Sequence, residues 1–468
     1  MPEDPDKGRS AVDRLVDHVV AARFTDLDPR AVEKAKIFLL DTLGVGIAGS
    51  AGAAIDDLRA TVAAWGRGDE ATVWATGERL PAQLAAIVNS YQIHCLEYDC
   101  VHEGAVVHPM ATVLSATMAH AERRAAEGRP VDGARFLLAL AVGVDVATLL
   151  GVAATGPVRF FRPATAGGFG AAAALAKLDG LGATEVKNTF GAVYGQTSGT
   201  LQPHVEGSTL LGLQIGFNAR AALCALDLAA AGIRGPHDVI DGPYGYLRLF
   251  ENEDYDLAPA LAKLGREWQV TQLAHKPFPS GRLTHGVIDA LMRLTREHGF
   301  GADDVARIHG RVPPLVYRLV GRPDIPEPDA NYAKLCLRFV AGVWLARGRV
   351  DVPEFQGAET LRDEGVHRCA ALVELEQDDN PDENALDPQT FSVELKGGGR
   401  HAVTLQHVYG HPSVPMTGAE NEAKFRRCVG YGRAAMSQRQ ADAIVDTVAG
   451  LETEHDVSVL SRLTVVDV

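Results

Sequence analysis

From residue 10 to about residue 232 the chain passes through one apolar segment of helical period after another, nearly all rich in alanine and glycine. "SAVDRLVDHVVAARF", "PRAVEKAKIFLLDTLGVGIAG", "LPAQLAAIVNSYQIHCLEYDC", "HPMATVLSATMAHAERRAAEG", "GARFLLALAVGVDVATLLG" and "GFNARAALCALDLAAAG" place apolar residues three and four apart. Several end at glycine, and Pro29 stands where a first helical turn accepts proline. Small side chains on facing helices let the axes come close. The pattern predicts a helical, bundle-like body. "FFRPATAGGFGAAAALAKL" fits the same body. Its glycines match neither GxGxxG nor GxxxxGK[ST], and no strand precedes them, so close helix packing explains them better than a phosphate cradle.

The pattern changes near residue 271. "VARIHGRVPPLVYRLV" and "CAALVELEQDD" are β-branched and alternating, and "QTFSVELKGGGRHAVTLQHVYG" reads as two strands around a glycine turn. "HGVIDALMRLTREHG" and "YAKLCLRFVAGVWLARG" are helical segments between them, and "DDNPDENALDP" is an acidic loop expected to be exposed. After residue 408 the chain turns helical again, with Thr417 and Glu420 in capping-box spacing. The fold class predicted is mainly α: a large helical domain from residues 1–270 and 409–468, with a smaller α+β domain, 271–408, inserted. A cleft between the two is the natural ligand site.

Charge narrows the possible partners. There are 60 acids against 45 bases, a net charge of −15, which argues against a nucleic-acid or anionic-membrane binder. It leaves room for a basic pocket holding a small anion. The six cysteines are scattered and form no CxxC, which counts against zinc ribbons and cysteine-ligated clusters and suits a reducing compartment. "MPEDPDKGRS" lacks an apolar signal core, and no segment reads as a membrane span. A cytoplasmic protein is expected.

Chemistry concentrates in two places. "IHCLEYDCVHEGAVVHPM", residues 93–110, packs His94, Glu97, Asp99, His102, Glu103 and His108 into eighteen residues. If residues 89–101 continue as a helix, His94, Glu97 and His102 share a face. Pro109 starts the next helix, whose positive end lies near His108 and favours an anion. Three readings are open: a divalent metal on His94, His102 and His108, in a spacing that matches no known metal motif; a solvated helix face, which suits Glu103 best; and an acid–base site. The second place is "AHKPFPSGRLTH", with His275, Lys276, Arg282 and His285. It is either an anion grip or a basic loop at a domain boundary. Ser198 lies in no GxSxG elbow, so a serine hydrolase is a weak reading.

Taken together, "LLDTLGVGIAGS", "ATVWATGERLPAQLAAIVNS", "HCLEYDCVHEGAVVHP", "RPATAGGFGAAAALAKLDGL", "GQTSGTLQPHVEGS", "KPFPSGRLTHGVIDA" and "GHPSVPMTGAENEAKF" resemble, in order, segments of the MmgE/PrpD family. That family includes 2-methylcitrate dehydratases, cis-aconitate decarboxylases and iminodisuccinate epimerases. The resemblance implies a helical domain with an α+β lid, an active site between them, no metal or other cofactor, a homodimer, and proton transfer at carbon beside a carboxylate.

Residue by residue, the family's first acid falls on Glu97 and the next on Asp99. The third is replaced by Cys100 and the usual threonine by Val101. His108 and Lys276 are kept. Arg162, Leu211, Gln214, Gly281 and Phe339 stand where the family more often has histidine, lysine, histidine, histidine or cysteine, and tyrosine. The resemblance therefore implies a divergent lyase, dehydratase-like, with isomerase, epimerase or decarboxylase chemistry, or an inactive scaffold, as alternatives. His108, Glu97, Asp99 and Lys276 are the expected catalytic groups. Arg162, Arg282, His102, Gln214 and His285 are expected to bind a small, rather apolar carboxylate substrate.

Overall fold

The computed structural model describes residues 9–466. Helices dominate, and the helical segments read from the sequence form with their expected caps. Ser10, Asp28 and Asp132 cap the helices Ala11–Ala21, Pro29–Ala48 and Gly133–Ala153 through side-chain oxygens. Thr417 and Glu420 close the capping box of Gly418–Gly430.

The small residues explain the tight body. A Cβ added at Gly143 would meet the Gly170 carbonyl at 2.8 Å, and one at Gly170 would meet the Gly143 carbonyl at 2.5 Å. Helices Gly133–Ala153 and Arg162–Asp179 therefore cross where neither has a side chain, and the glycine-rich segment serves packing. Gly133–Ala153 is long and apolar enough to cross a membrane, but it is almost wholly buried within the protein.

Two hydrophobic cores form. One gathers residues from Ala11 to Leu273 and takes in Phe425, Cys428, Ile444 and Leu460 near the C-terminus. The other lies within residues 287–408. It is built on a four-stranded sheet in the order Val373–Gln377, Val305–Val312, Gln389–Leu395, Arg400–Leu405. The first pair is parallel and the other two are antiparallel. The glycine turn predicted from "KGGGR" closes the last hairpin, with Gly398 and Gly399 at positive φ. Helices His285–His298 and Leu337–Arg347 pack with the sheet. The expected single helix through "YAKLCLRFVAGVWLARG" breaks instead into Ala330–Lys334 and Leu337–Arg347.

Helix Gly418–Gly430, the first after the sheet, packs against Pro29–Ala48 around a fully buried ion pair. Lys424 Nζ lies 2.7 Å from Asp41 Oδ1, donates to the Tyr98 carbonyl at 2.8 Å, and sits 4.1 Å over the Tyr98 ring. Burial still pushes the Asp41 carboxyl above its ordinary value, against the pull of Lys424.

Candidate active site

The acid motif is not one continuous helix. The buried helix Ala82–His94 stops at His94, and the chain turns at Glu97, which adopts a left-handed φ of 53°. Glu97 therefore faces back toward His94 rather than following a helical face to His102. Val101 then exchanges backbone hydrogen bonds with Ala274, at 3.0 and 2.7 Å. That two-residue bridge brings the Lys276 segment beside Glu97 and Asp99. A narrow turn follows, with His102 and Val107 paired and Val106 at φ 53°, and delivers His108 to the N-cap of Pro109–Ala126.

The result is a chain of charges. Lys276 Nζ donates to Glu97 Oε2 at 2.7 Å and lies 3.9 Å from Asp99 Oδ1. His94 Nδ1 is 3.1 and 3.2 Å from the two Asp99 oxygens. Its Nε2 is 3.3 Å from Glu97 Oε1, within ion-pair range but off hydrogen-bond alignment. Asp99 Oδ2 also lies 3.2 Å from His108 Nδ1, again off-axis. Asp99 thus sits between two imidazoles.

Burial alone would push His94 down, but Asp99 and Glu97 overturn that and hold it up at about 9. Burial would raise both acids; Lys276 and His94 hold Glu97 well below the usual carboxylate range, and His94 and His108 do the same for Asp99. His108 goes the other way. Burial and the nearby Lys276 ammonium lower it, and Asp99 only partly compensates. At neutral pH the cluster therefore holds a protonated His94, two carboxylates and a free-base His108. With Nδ1 facing Asp99, His108 has Nε2 left for chemistry.

His94, Glu97 and His108 face a narrow cavity of about 80 Å³. Its remaining wall is mostly apolar and draws on both cores: Phe161, Leu201, Leu211 and Leu335 from the first, Leu283, Leu319 and Val320 from the second, with Val101 and Leu386 completing it. Leu386 belongs to the acidic loop expected to be exposed, so that loop is partly drawn inward, with Asn384 Nδ2 donating to the Gly156 carbonyl.

Of the residues expected to bind substrate, Arg162 and Arg282 line this cavity but are already engaged. Arg162 is bidentate to buried Glu251, at 2.9 and 2.7 Å. Arg282 Nε donates to Glu103, and its other nitrogens donate to the Val408 and Tyr409 carbonyls. His102, Gln214 and His285 do not line it. His102 accepts from the Ala105 amide and faces Gln269 Oε1 at 3.2 Å, and burial lowers it to about 4. Gln214 clamps both backbone groups of Thr200. His285 lies between the Ser280 carbonyl and Arg282. Phe339 lies in the second core against Phe355 and His367. His275 packs its ring on Phe38 at 4.5 Å.

Sequence reasoning passed over His204, which lines the cavity from the short helix Gln202–Glu206. It lay in a quoted segment, yet its only local signal was a single histidine after a proline.

A divalent cation has one candidate donor set among the described residues: His94, Asp99 and His108, whose ligand atoms lie within 4.8 Å of one another. Asp99 replaces the His102 of the sequence-based trio. Binding there requires displacing the His94 proton, with the Lys276 ammonium 3.9 Å from the same carboxylate.

Comparison with known proteins agrees along most of the chain. Residues 13–258 match the MmgE/PrpD N-terminal domain and residues 278–451 the MmgE/PrpD C-terminal domain. Human (Homo sapiens) cis-aconitate decarboxylase is 30% identical over 451 residues, covering 93% of this chain and 91% of that protein. The Mus musculus cis-aconitate decarboxylase is 27% identical, covering 97% and 93%. The cis-aconitate decarboxylase-like protein oryM of Aspergillus oryzae is 28% identical, covering 96% of each.

Proposed function

The chain belongs to the MmgE/PrpD family, and from that premise we propose that it is a lyase that moves a proton at the carbon beside a carboxylate of a small organic acid. The observation that carries this reading is the Asp99–His108 contact at the wall of an apolar cavity. Asp99 orients the imidazole and would stabilise the imidazolium once His108 takes a proton. Glu97 and Lys276 hold that carboxylate and His94 in place. In the leading reading, dehydration, His108 Nε2 removes the C–H proton, and the electron pair forms the new C=C bond. The β-hydroxyl leaves, taking the same proton from His108 as water.

Free cations limit the substrate. Arg162, Arg282 and Lys276 are each neutralised by an acid of the chain itself. A substrate with one or two carboxylates and an apolar body fits such a cavity better than a tricarboxylate. Residues 271–408 serve as a lid, since the cavity wall draws on both cores. Lys276 and protonated His94 supply positive charge at the acids, which supports a reaction without metal. Elemental analysis with an EDTA control tests that, and a stoichiometric metal essential for activity would overturn it. A homodimer is proposed from the family resemblance, and light scattering reads it directly.

Decarboxylation is the second reading, favoured by the names of the relatives. There the C–CO₂ bond breaks and its electron pair goes to carbon, which then takes a proton from protonated His108. The two readings need opposite starting states of His108, so the pH profile separates them. For dehydration, kcat/KM falls as pH drops below His108's lowered pKa, under its ordinary 6.5, and holds above it. For decarboxylation it falls as pH rises through the same value. In both, activity declines again near pH 9 as His94 loses its proton. Mono- and dicarboxylic hydroxy acids and cis-aconitate, assayed for alkene, CO₂ and deuterium uptake from D₂O, provide the readout. No turnover and no exchange in any of them would sink the enzyme reading.

A further inference from the structure

The cavity holds a third histidine, in the hydrogen-bonding state opposite to that of His108. His204 is buried, lines the same cavity as His108, and has its Nδ1 3.1 Å from Arg322 Nη2. A guanidinium nitrogen offers only hydrogens. Arg322 Nη2 also donates to the His204 and Leu319 carbonyls, at 2.9 and 3.1 Å, so its two hydrogens serve three acceptors. A proton on His204 Nδ1 would point at those hydrogens. The ring's lone pair therefore faces Arg322, and a neutral ring carries its proton on Nε2. Among the described residues that Nε2 has no hydrogen-bond partner. The arginine is itself held in place, stacked 4.9 Å from the Tyr332 ring centroid, while Tyr332 donates to the Pro323 carbonyl at 2.8 Å. Burial first, and then the charge of Arg322, keep the imidazole neutral, lowering it to about 4.

We propose that His204 is a catalytic residue of the proposed reaction, its Nε2–H hydrogen-bonding the substrate carboxylate oxygen that gains charge when His108 removes the carbon-bound proton, and that Arg322 is the positioning residue that fixes this tautomer. The cavity thus presents two neutral imidazoles of opposite sense, one accepting at Nε2 and one donating there. No proton leaves His204: as the C–H bond breaks, its electron pair moves toward the carboxylate, and the Nε2–H bond to that oxygen strengthens. A neutral donor suits this task, because an imidazolium would give up its proton to the oxyanion, and donors aimed at developing charge in a dry site have large effects.

This assignment rests on the proton-transfer reading, and the experiment keeps the two apart. His204→Leu, His204→Asn, Arg322→Met and His108→Asn are compared with the unmodified protein for deuterium uptake from D₂O into the panel of small acids, and ¹⁵N-histidine NMR reports the tautomer. The expected result is a loss of roughly 10²-fold in exchange rate for His204→Leu, with KM moving less than kcat. Partial recovery is expected in His204→Asn, which keeps an N–H donor. Arg322→Met should show a smaller loss together with mixed tautomers at His204. Wild-type exchange in His204→Leu beside a dead His108→Asn overturns this assignment alone, as does an Nδ1–H signal for His204 in the unmodified protein. Wild-type exchange in His108→Asn, or none from the unmodified protein on any acid, overturns the reading on which it rests.

Discussion

Replacing His108 with asparagine lowers carbon-bound proton exchange by about 10²- to 10⁴-fold, the range that one positioned acid–base group supplies. Asparagine keeps a polar group near Asp99 and approximates the ring's volume, so folding should survive. It has no basic nitrogen at the position of Nε2. Since His108 faces the cavity while its Nδ1 faces Asp99, the loss should appear in kcat, with KM nearly steady. Asp99→Asn is expected to fall in the same range while disturbing more. It removes the charge that holds up His94 and lets the His108 tautomer invert. Deuterium uptake measured by NMR on an acid the enzyme accepts gives the readout, and an undiminished rate in His108→Asn would exclude His108 as the proton-transfer group.

The largest effect on stability is expected from Lys424→Met, at about 3–5 kcal/mol, the usual consequence of stripping one partner from a buried pair. Lys424 and Asp41 are both fully buried. The same ammonium also caps the Tyr98 carbonyl between Glu97 and Asp99, so the loss reaches the site loop as well as the helix contact. Without Lys424, Asp41 must either take up a proton or remain as an uncompensated charge. Burial already pushes its pKa upward, so the cost should shrink toward acid pH and grow toward alkaline pH. Adding Asp41→Asn should recover much of it, because two neutral groups leave no buried charge. Chemical denaturation at two pH values, on both single variants and the double, checks this. A Lys424→Met protein as stable as the parent would show that the pair contributes nothing.

Much of this fold was legible because it is written locally. Apolar spacing, the Pro29 and Pro109 helix starts, the Thr417–Glu420 box and the glycine hairpin each report their own few residues. The charged cluster was legible as a set of residues but not as an arrangement. A helix through residue 101 would have aligned His94 with His102. Instead, the left-handed turn at Glu97 sent His102 to Gln269 and brought Asp99 between His94 and His108. That the cations expected to hold substrate are already ion-paired was illegible for a different reason. The partners of Arg162 and Arg282, Glu251 and Glu103, stand 89 and 179 residues away, and no local pattern shows that a cation is already spoken for. His204 escaped for the same reason, since its state is set by Arg322, 118 residues further on.

That pairing of cation with anion around the cavity also governs how a substrate arrives. Arg162, Lys276 and Arg282 are each matched by a carboxylate within ion-pair distance, so beyond the first layer of water these pairs leave little positive field. The rest of the surface belongs to a protein of net charge −15. An anionic substrate is thus not funnelled inward by long-range attraction. It approaches against a weak repulsion that dissolved ions screen over about 10 Å at 0.1 M salt. Capture then depends on shedding water into the apolar cavity, and the second-order rate of encounter should hold steady or rise with ionic strength, the reverse of an enzyme that reels in its anion.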